Sequence, residues 1–165
     1  MARVASLLDG WAEAIGLDDA ERVAWRALGY LHDALRDEAP EVLRERVSPA
    51  DRLLPGPLLH GPAAAEQLRI AGVEDGALLT AIAWHTVGDP RFGAVGRALY
   101  VADFLEPGRT YLPEWREELR ARMPHDLDSV TRDVARARIG RGLERNAAIQ
   151  PRTIAFWNEV AGGGA

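Results

Sequence analysis

The chain has 165 residues and a formal net charge of −5, from 25 acidic side chains and 20 basic ones, all of them arginine. This length predicts one domain with a sizeable core, and the acidic balance excludes a protein that coats duplex nucleic acid. Because the chain has four histidines and no cysteine, disulfides and thiolate sites are excluded, and a metal ion would need histidine and carboxylate ligands.

The N-terminal residues lack the separate basic, apolar and cleavage regions of a signal peptide. No apolar run approaches the roughly 18 residues of a membrane span. We therefore expect a cytoplasmic protein that binds no membrane.

Apolar residues recur at helical spacing along the chain, and no stretch alternates as a half-buried strand does, so the predicted fold class is all-α. A loop rich in proline and glycine is expected at 48–62, with Pro62 as the first residue of the next helix. The predicted helices cover about residues 2–15, 17–35, a short stretch from 40, 63–70, 75–86, 92–105, 114–122, 126–146 and 151–160.

We find no internal repeat and no long linker, so residues 1–165 are expected to form a single domain. Its C-terminal helices, at about 113–160, should pack onto the rest through Trp115 and Trp157. Residues 161–165 are rich in glycine and are expected to form a flexible tail.

Two histidines lie where their helices should be buried. His32 comes four residues after Leu28, and His85 comes three after Ile82, which places each on the apolar side of its helix. Asp33 directly follows His32. A His-Asp pair at the end of a helix is either a pair of metal ligands or a hydrogen-bonded core pair, and the pair alone does not decide between them.

A carboxylate and a third histidine complete the candidate set. Asp103 is the one charge in the apolar stretch 98–105, and a buried carboxylate needs a partner because desolvating an unpaired one costs several kcal/mol. His60 precedes Gly61 at the start of a helix, where capping explains it as well as metal binding does. Helical bundles build metal sites from such residues on separate helices, and iron, manganese, nickel and zinc all accept these ligands.

The order of these segments resembles the HD-domain phosphohydrolases, specifically the YqeK-like symmetrical diadenosine tetraphosphatases. The matching segments are LHDALRD at 31–37, LHGP at 59–62, AIAWHTVG at 81–88 and YVADFLEPGR at 100–109. The resemblance covers about residues 1–110, and this ordered set is far more specific than a His-Asp dipeptide. It implies an HD-domain helical bundle.

The same resemblance implies two divalent metal ions, which are described as iron in this family. Asp33 would bridge the two ions. His60 and His85 would hold one of them, while His32 and Asp103 would help to hold the other.

The resemblance also implies hydrolysis of diadenosine tetraphosphate to two ADP, with water activated between two cations. Asp33, Arg36 and Asp37 form the expected catalytic group, although Asp37 either orients water or pairs with Arg36, and we favour the pairing. Arg36 and Arg109 should bind phosphate oxygens through their guanidinium groups. Thr86 is a candidate for a further phosphate contact.

Two positions depart from the family pattern. Lysine usually stands where this chain has Arg36, and the two side chains are not equivalent at a phosphate. The family's first histidine normally lies four residues before a valine of the first helix, and counting back from Val4 reaches the position before Met1. We therefore expect the true start to lie upstream, with histidine as the preceding residue.

Two other functions compete with this one: an HD phosphohydrolase for another nucleotide, and a metal-poor regulator that binds a nucleotide without cleaving it. The arginines of the helix at 126–146 could form an RNA-binding face, but the acidic residues among them favour a solvated helix. The C-terminal helices could form a homodimer surface or recognise adenine. His125 lies outside the matching segments and is expected at the surface.

Overall fold

The computed structural model describes residues 1–162, and in this range it contains α-helices joined by turns and two short 3₁₀ segments. The predicted all-α class is confirmed. The helices are α1 (Ala2–Ala14), α2 (Asp19–Leu31), α3 (Pro40–Arg46), α4 (His60–Ile70), α5 (Gly76–Trp84), α6 (Ala94–Leu105), α7 (Pro113–Arg122), α8 (Leu127–Glu144) and α9 (Pro151–Gly162). None of these helices is long and apolar enough to cross a membrane.

Side chains in the sequence set the start of two helices. The Asp18 carboxylate accepts a hydrogen bond from the Glu21 amide at 2.8 Å, and the Glu21 carboxylate accepts one from the Asp18 amide at 3.2 Å. This reciprocal capping box satisfies amides that the first turn of α2 leaves unpaired. Asp75 caps α5 in the same sense, by accepting from the amides of Ala77 and Leu78.

The helix ends near the candidate site differ from the prediction. Helix α2 ends at Leu31 instead of Leu35, and tight turns follow, in which the Arg36 amide donates to the Asp33 carbonyl three residues back. Helix α5 likewise ends at Trp84. Helix α4 begins at His60, so Pro62 is its third residue. Each histidine of the candidate set therefore lies at the end of a helix or just beyond it.

Helix α6 lies at the centre of the bundle, with nine of its twelve residues buried. Helices α1 and α2 approach closely where Gly29 faces the backbone of Ala5, since a Cβ at Gly29 would collide with that backbone. The rings of Phe104 and Trp115 meet edge to face at 6.2 Å, and Trp157 also packs on the main core. Through these contacts Trp115 and Trp157 join the main core.

The predicted tail differs from the structure at its start. Helix α9 continues through Ala161 to Gly162, and residues 163–165 lie outside the described residues.

Candidate metal centre

Three histidine side chains and one carboxylate meet between the ends of α2, α4 and α5. The Asp33 Oδ1 atom lies 3.2 Å from His60 Nε2 and 3.4 Å from His85 Nε2, and these two nitrogens lie 3.2 Å apart. On the other side, His32 Nε2 is 3.6 Å from Asp33 Oδ2. The three histidines are 1–6% exposed, so the cluster is shielded from water.

Each of the three rings is fixed by the backbone in the same way. The Nδ1 atoms of His32, His60 and His85 lie 3.1, 2.9 and 2.8 Å from the carbonyl oxygen three residues earlier. Because a carbonyl oxygen can only accept, Nδ1 carries the proton in each ring, and in a neutral ring Nε2 presents a lone pair. Burial, together with repulsion from His85, lowers the pKa of His32, which keeps that ring neutral.

The nitrogens of His60 and His85 converge on an atom that has no hydrogen bond. Asp33 Oδ1 is buried and lacks a hydrogen-bond partner within the described part of the chain. Burial acts to raise the pKa of Asp33, but the histidine nitrogens and the Arg36 guanidinium hold that pKa well below its usual range. The carboxylate is therefore ionised, and its Oδ1 atom lies among histidine nitrogens with no cation of residues 1–162 bonded to it.

A divalent cation at this point would balance the charge of Asp33 and bind the histidine nitrogens. Metal–ligand bonds of about 2.0–2.2 Å set neighbouring ligand atoms on one ion roughly 3.0–3.5 Å apart. The three contacts among Asp33 Oδ1, His60 Nε2 and His85 Nε2 span 3.2–3.4 Å. The atoms of His32, Asp33 and His85 also lie within 4.8 Å of one another. Donors and spacing both fit a metal ion with nitrogen and oxygen ligands.

The glycine after His60 lets two of these helix ends approach. A Cβ at Gly61 would lie 2.5 Å from the carbonyl oxygen of Ala83 and 2.9 Å from that of Ile82. The Ile82 carbonyl is also the one that orients His85. The missing side chain thus brings the start of α4 against the end of α5, and both histidines reach one point.

Asp103 is buried on α6, as predicted, but arginines engage both of its oxygens. Arg109 donates to Oδ1 at 3.0 Å and Arg138 donates to Oδ2 at 2.9 Å. Burial acts to raise the pKa of Asp103, but Arg138, His85 and Arg109 together lower this pKa to about 2. The role of Asp103 as a metal ligand stays a prediction.

The remaining predicted site residues differ in how closely they approach this cluster. Arg36 donates to Asp33 Oδ2 at 2.8 Å, so the expected pairing of Arg36 with Asp37 is wrong. Asp37 is exposed on the turns after α2. The Thr86 hydroxyl lies 3.2 Å from His85 Nε2, which is the acceptor of this pair because Nδ1 carries the proton. Arg109 is 41% exposed beside Asp103.

A cavity of about 1170 Å³ opens beside the cluster, and His60, His85, Thr86, Arg36 and Arg109 contribute to its lining. Small-molecule pockets usually measure about 300–1,000 Å³, so this one has room for a large ligand. His125 is exposed and lies elsewhere, as predicted.

The start of α1 lies beside the end of α6. The Arg3 guanidinium donates to the Glu106 carboxylate at 2.5 Å, three residues after Asp103. The expectation of a histidine immediately before Met1 stays a prediction.

Comparison with known proteins places the chain in a family. No family model matches it. A protein of Halalkalibacterium halodurans named symmetrical bis(5'-nucleosyl)-tetraphosphatase is 30% identical over 146 residues, which make up 86% of this chain and 77% of that protein. The chain belongs to this family. A protein of the same name from Bacillus subtilis is 28% identical over 155 residues, 92% of this chain and 82% of its own length.

The fold of this family member agrees with a solved structure. A Clostridium acetobutylicum protein described as a predicted HD superfamily hydrolase involved in NAD metabolism matches with a TM-score of 0.83 and 24% identity, covering 98% of this chain and 86% of that one. The predicted resemblance to the symmetrical tetraphosphatases is therefore confirmed, and the helical fold agrees with that of the Clostridium protein.

The sequence did not reveal two arginines that line the cavity in this chain. Arg138 of α8 reaches the cavity and bonds to Asp103 and to the carbonyls of Thr86 and Tyr100, so the prediction of a solvated arginine helix is wrong there. Arg116 of α7 is 2% exposed and lines the same cavity. Helical spacing within α7 and α8 could not reveal these roles, because both depend on how the C-terminal helices dock on α6.

Proposed function

We propose that this chain hydrolyses diadenosine tetraphosphate symmetrically, releasing two ADP, and that divalent metal ions bound at the histidine cluster support the reaction. The observation that carries the proposal is the convergence of three Nε2 lone pairs on a buried Asp33 carboxylate with an unpartnered oxygen. Relatives over most of the chain bear the name of this activity.

The ligands proposed for the metal ions are His32, Asp33, His60, His85 and, for a second ion, Asp103. Iron is the first expectation, and manganese, nickel and zinc fit the same donors. When bound, such ions supply activated water at neutral pH and positive charge opposite the phosphates.

Arg36 and Arg109 are proposed to bind phosphate oxygens. Their side chains are 54% and 41% exposed, and each already pairs with a carboxylate of the site at 2.8 or 3.0 Å. A guanidinium fork held in this way points at the cavity and matches phosphate geometry. The Thr86 hydroxyl is proposed to donate to a further phosphate oxygen when a metal ion takes the His85 Nε2 atom to which it otherwise donates. Asp37, exposed on the turns after α2, is proposed to orient water.

The products decide whether the cut is symmetrical. Protein loaded with Fe²⁺ or Mn²⁺ should convert diadenosine tetraphosphate to ADP alone, as measured by anion-exchange chromatography. Loss of a direct ligand in His85→Ala should lower the rate at least about 100-fold and reduce the metal content, because even groups that only orient metal ligands are worth about 10–100-fold. The matched control, His125→Ala, removes an exposed histidine and should change neither quantity.

Other outcomes would contradict the proposal. ATP and AMP would indicate an asymmetrical cut, and cleavage of a different nucleotide in a substrate panel would identify another HD phosphohydrolase. Protein that binds a nucleotide but carries no metal under either loading condition would be a regulator.

A further inference from the structure

Three arginines from the C-terminal helices line the cavity next to the histidine cluster: Arg116 of α7, and Arg138 and Arg141 of α8. The proposed function assigns no role to them. They lie around the aromatic side chains of α6 and the following loop, with Arg116 over Phe104 and Arg138 over Tyr100.

Arg116 is held rigidly but is not satisfied. Its side chain lies over the Phe104 ring at 4.0 Å, and its Nε donates to the Tyr111 carbonyl at 2.5 Å. Its Nη1 is buried and has no hydrogen-bond partner among residues 1–162. A buried cation without a carboxylate partner is rare, because desolvating it costs several kcal/mol.

Arg138 links this group to the histidine cluster. Its Nη2 donates to Asp103 at 2.9 Å, and its Nη1 donates at 3.1 Å to the carbonyl of Thr86, the residue after His85. Its Nε is also buried and lacks a partner within the described chain, as does the hydroxyl of Tyr100, which lines the same cavity.

The unpartnered atoms form a pattern. Within the described residues, four buried side-chain polar atoms lack a partner, and all belong to this cavity or adjoin it. One is the acceptor Asp33 Oδ1, where a cation fits. The other three are donors on Tyr100, Arg116 and Arg138, as an anion requires.

The charge of the cavity differs from that of the whole protein. Six arginines line it, against the carboxylates of Glu38 and Asp103, although the chain carries a net charge of −5. Burial and repulsion from four other arginines, including Arg138 and Arg141, lower the pKa of Arg116. Arginines that served only to fasten α7 and α8 would face carboxylates or carbonyls with all their donors, whereas here Arg116 Nη1 and Arg138 Nε have no partner among the described residues.

We propose that Arg116, Arg138 and Arg141 form an anion subsite for the diphosphate of the substrate half that leaves as ADP. The identity of the ligand, a diphosphate of diadenosine tetraphosphate, rests on the proposed function. In this arrangement the histidine cluster lies opposite the reacting phosphate, and the arginines of α7 and α8 hold the phosphates of the leaving nucleotide and balance the charge that develops on them.

Pyrophosphate binding to the full-length chain in EDTA tests the subsite without turnover. Calorimetry should show wild-type binding that weakens about tenfold or more in Arg141→Gln and Arg116→Gln, since a charge-assisted hydrogen bond is worth roughly that factor. Arg136→Gln is the matched control: Arg136 is also on α8, but its side chain is 68% exposed and lies over Trp157, outside the cavity. Unchanged binding in Arg141→Gln, an equal loss in Arg136→Gln, or no wild-type binding would overturn the subsite.

Kinetics on the metal-loaded protein separate this proposal from the previous one. Arg141→Gln should lower kcat/KM for diadenosine tetraphosphate about tenfold or more, with an unfolding temperature equal to that of Arg136→Gln. Should the wild type bind pyrophosphate through these arginines but release no ADP, the proposed function fails and the anion subsite stands. Should it release ADP while Arg141→Gln keeps full affinity and full kcat/KM, the subsite fails and the proposed function stands.

Discussion

Two aspartates that follow helices, Asp33 after α2 and Asp89 after α5, are balanced in opposite ways. Asp89 is fully buried, and its carboxylate accepts from the backbone amide of Arg91 at 2.9 Å, from the Arg91 side chain at 2.9 and 3.0 Å, and from Arg152. Asp33 is 14% exposed, pairs with Arg36 through Oδ2 and has no hydrogen bond at Oδ1.

The difference lies in what faces each carboxylate. Around Asp89 the chain itself supplies two arginines. The ion pair between Asp89 and Arg152 fastens the start of α9 to the loop after α5, and the carboxylate needs no external cation. Around Asp33 the chain supplies histidine rings whose Nδ1 atoms contact backbone carbonyls and whose Nε2 atoms face the carboxylate. A buried carboxylate oxygen that the protein leaves without a donor, as residues 1–162 leave Asp33 Oδ1, marks a place where an external ion is expected.

The largest expected effect is on activity, from Asp33→Asn. This change keeps the shape of the side chain but removes the charge around which the histidines gather. We expect at least about a 100-fold loss of hydrolysis and a clear loss of bound metal, with the fold retained, as measured by product release, elemental analysis and circular dichroism. Full metal content in this variant would contradict the assignment of Asp33 as a ligand.

The opposite result is expected from Asp89→Asn. Loss of the charge weakens several hydrogen bonds to Arg91 and Arg152, which are partly exposed and can turn to water. The free energy of unfolding should fall by about 1–3 kcal/mol in urea titrations, while the folded variant keeps its metal and its activity. A loss of metal here as large as in Asp33→Asn would remove the distinction between the two aspartates.

The smallest effect concerns pH. Burial acts to raise the pKa of Asp89, but Arg91 and Arg152 hold it below the ordinary value of 3.8. The contribution of Asp89 to stability is therefore complete well above that value and is lost as the pH falls through the lower pKa of the folded state. The difference in unfolding free energy between the wild type and Asp89→Asn should shrink as the pH falls below about 4, and a constant difference would refute this origin.

Much of the candidate site could be predicted from the sequence because its residues interrupt apolar helix faces. His32, His85 and Asp103 are all buried where helical spacing places them. The end of α2 was predicted four residues too late, since apolar periodicity continues to Leu35 although the backbone turns after Leu31. The pairing of Arg36 was misassigned for the same reason, because the turn directs its side chain to Asp33.

The sequence by itself determined the all-α class, the histidine and carboxylate donors and the family, because periodicity, residue chemistry and motif order are all local to the chain. Tertiary structure alone decided that three histidine Nε2 atoms meet one carboxylate, two at Oδ1 and one at Oδ2. Each ring is oriented by a carbonyl three residues earlier, and the helix ends that carry the rings meet by packing. Tertiary structure also decided that arginines of α7 and α8 enter the cavity. The polarity of these arginines predicts side chains exposed to solvent. Only the docking of α7 and α8 on α6 turns the side chains inward.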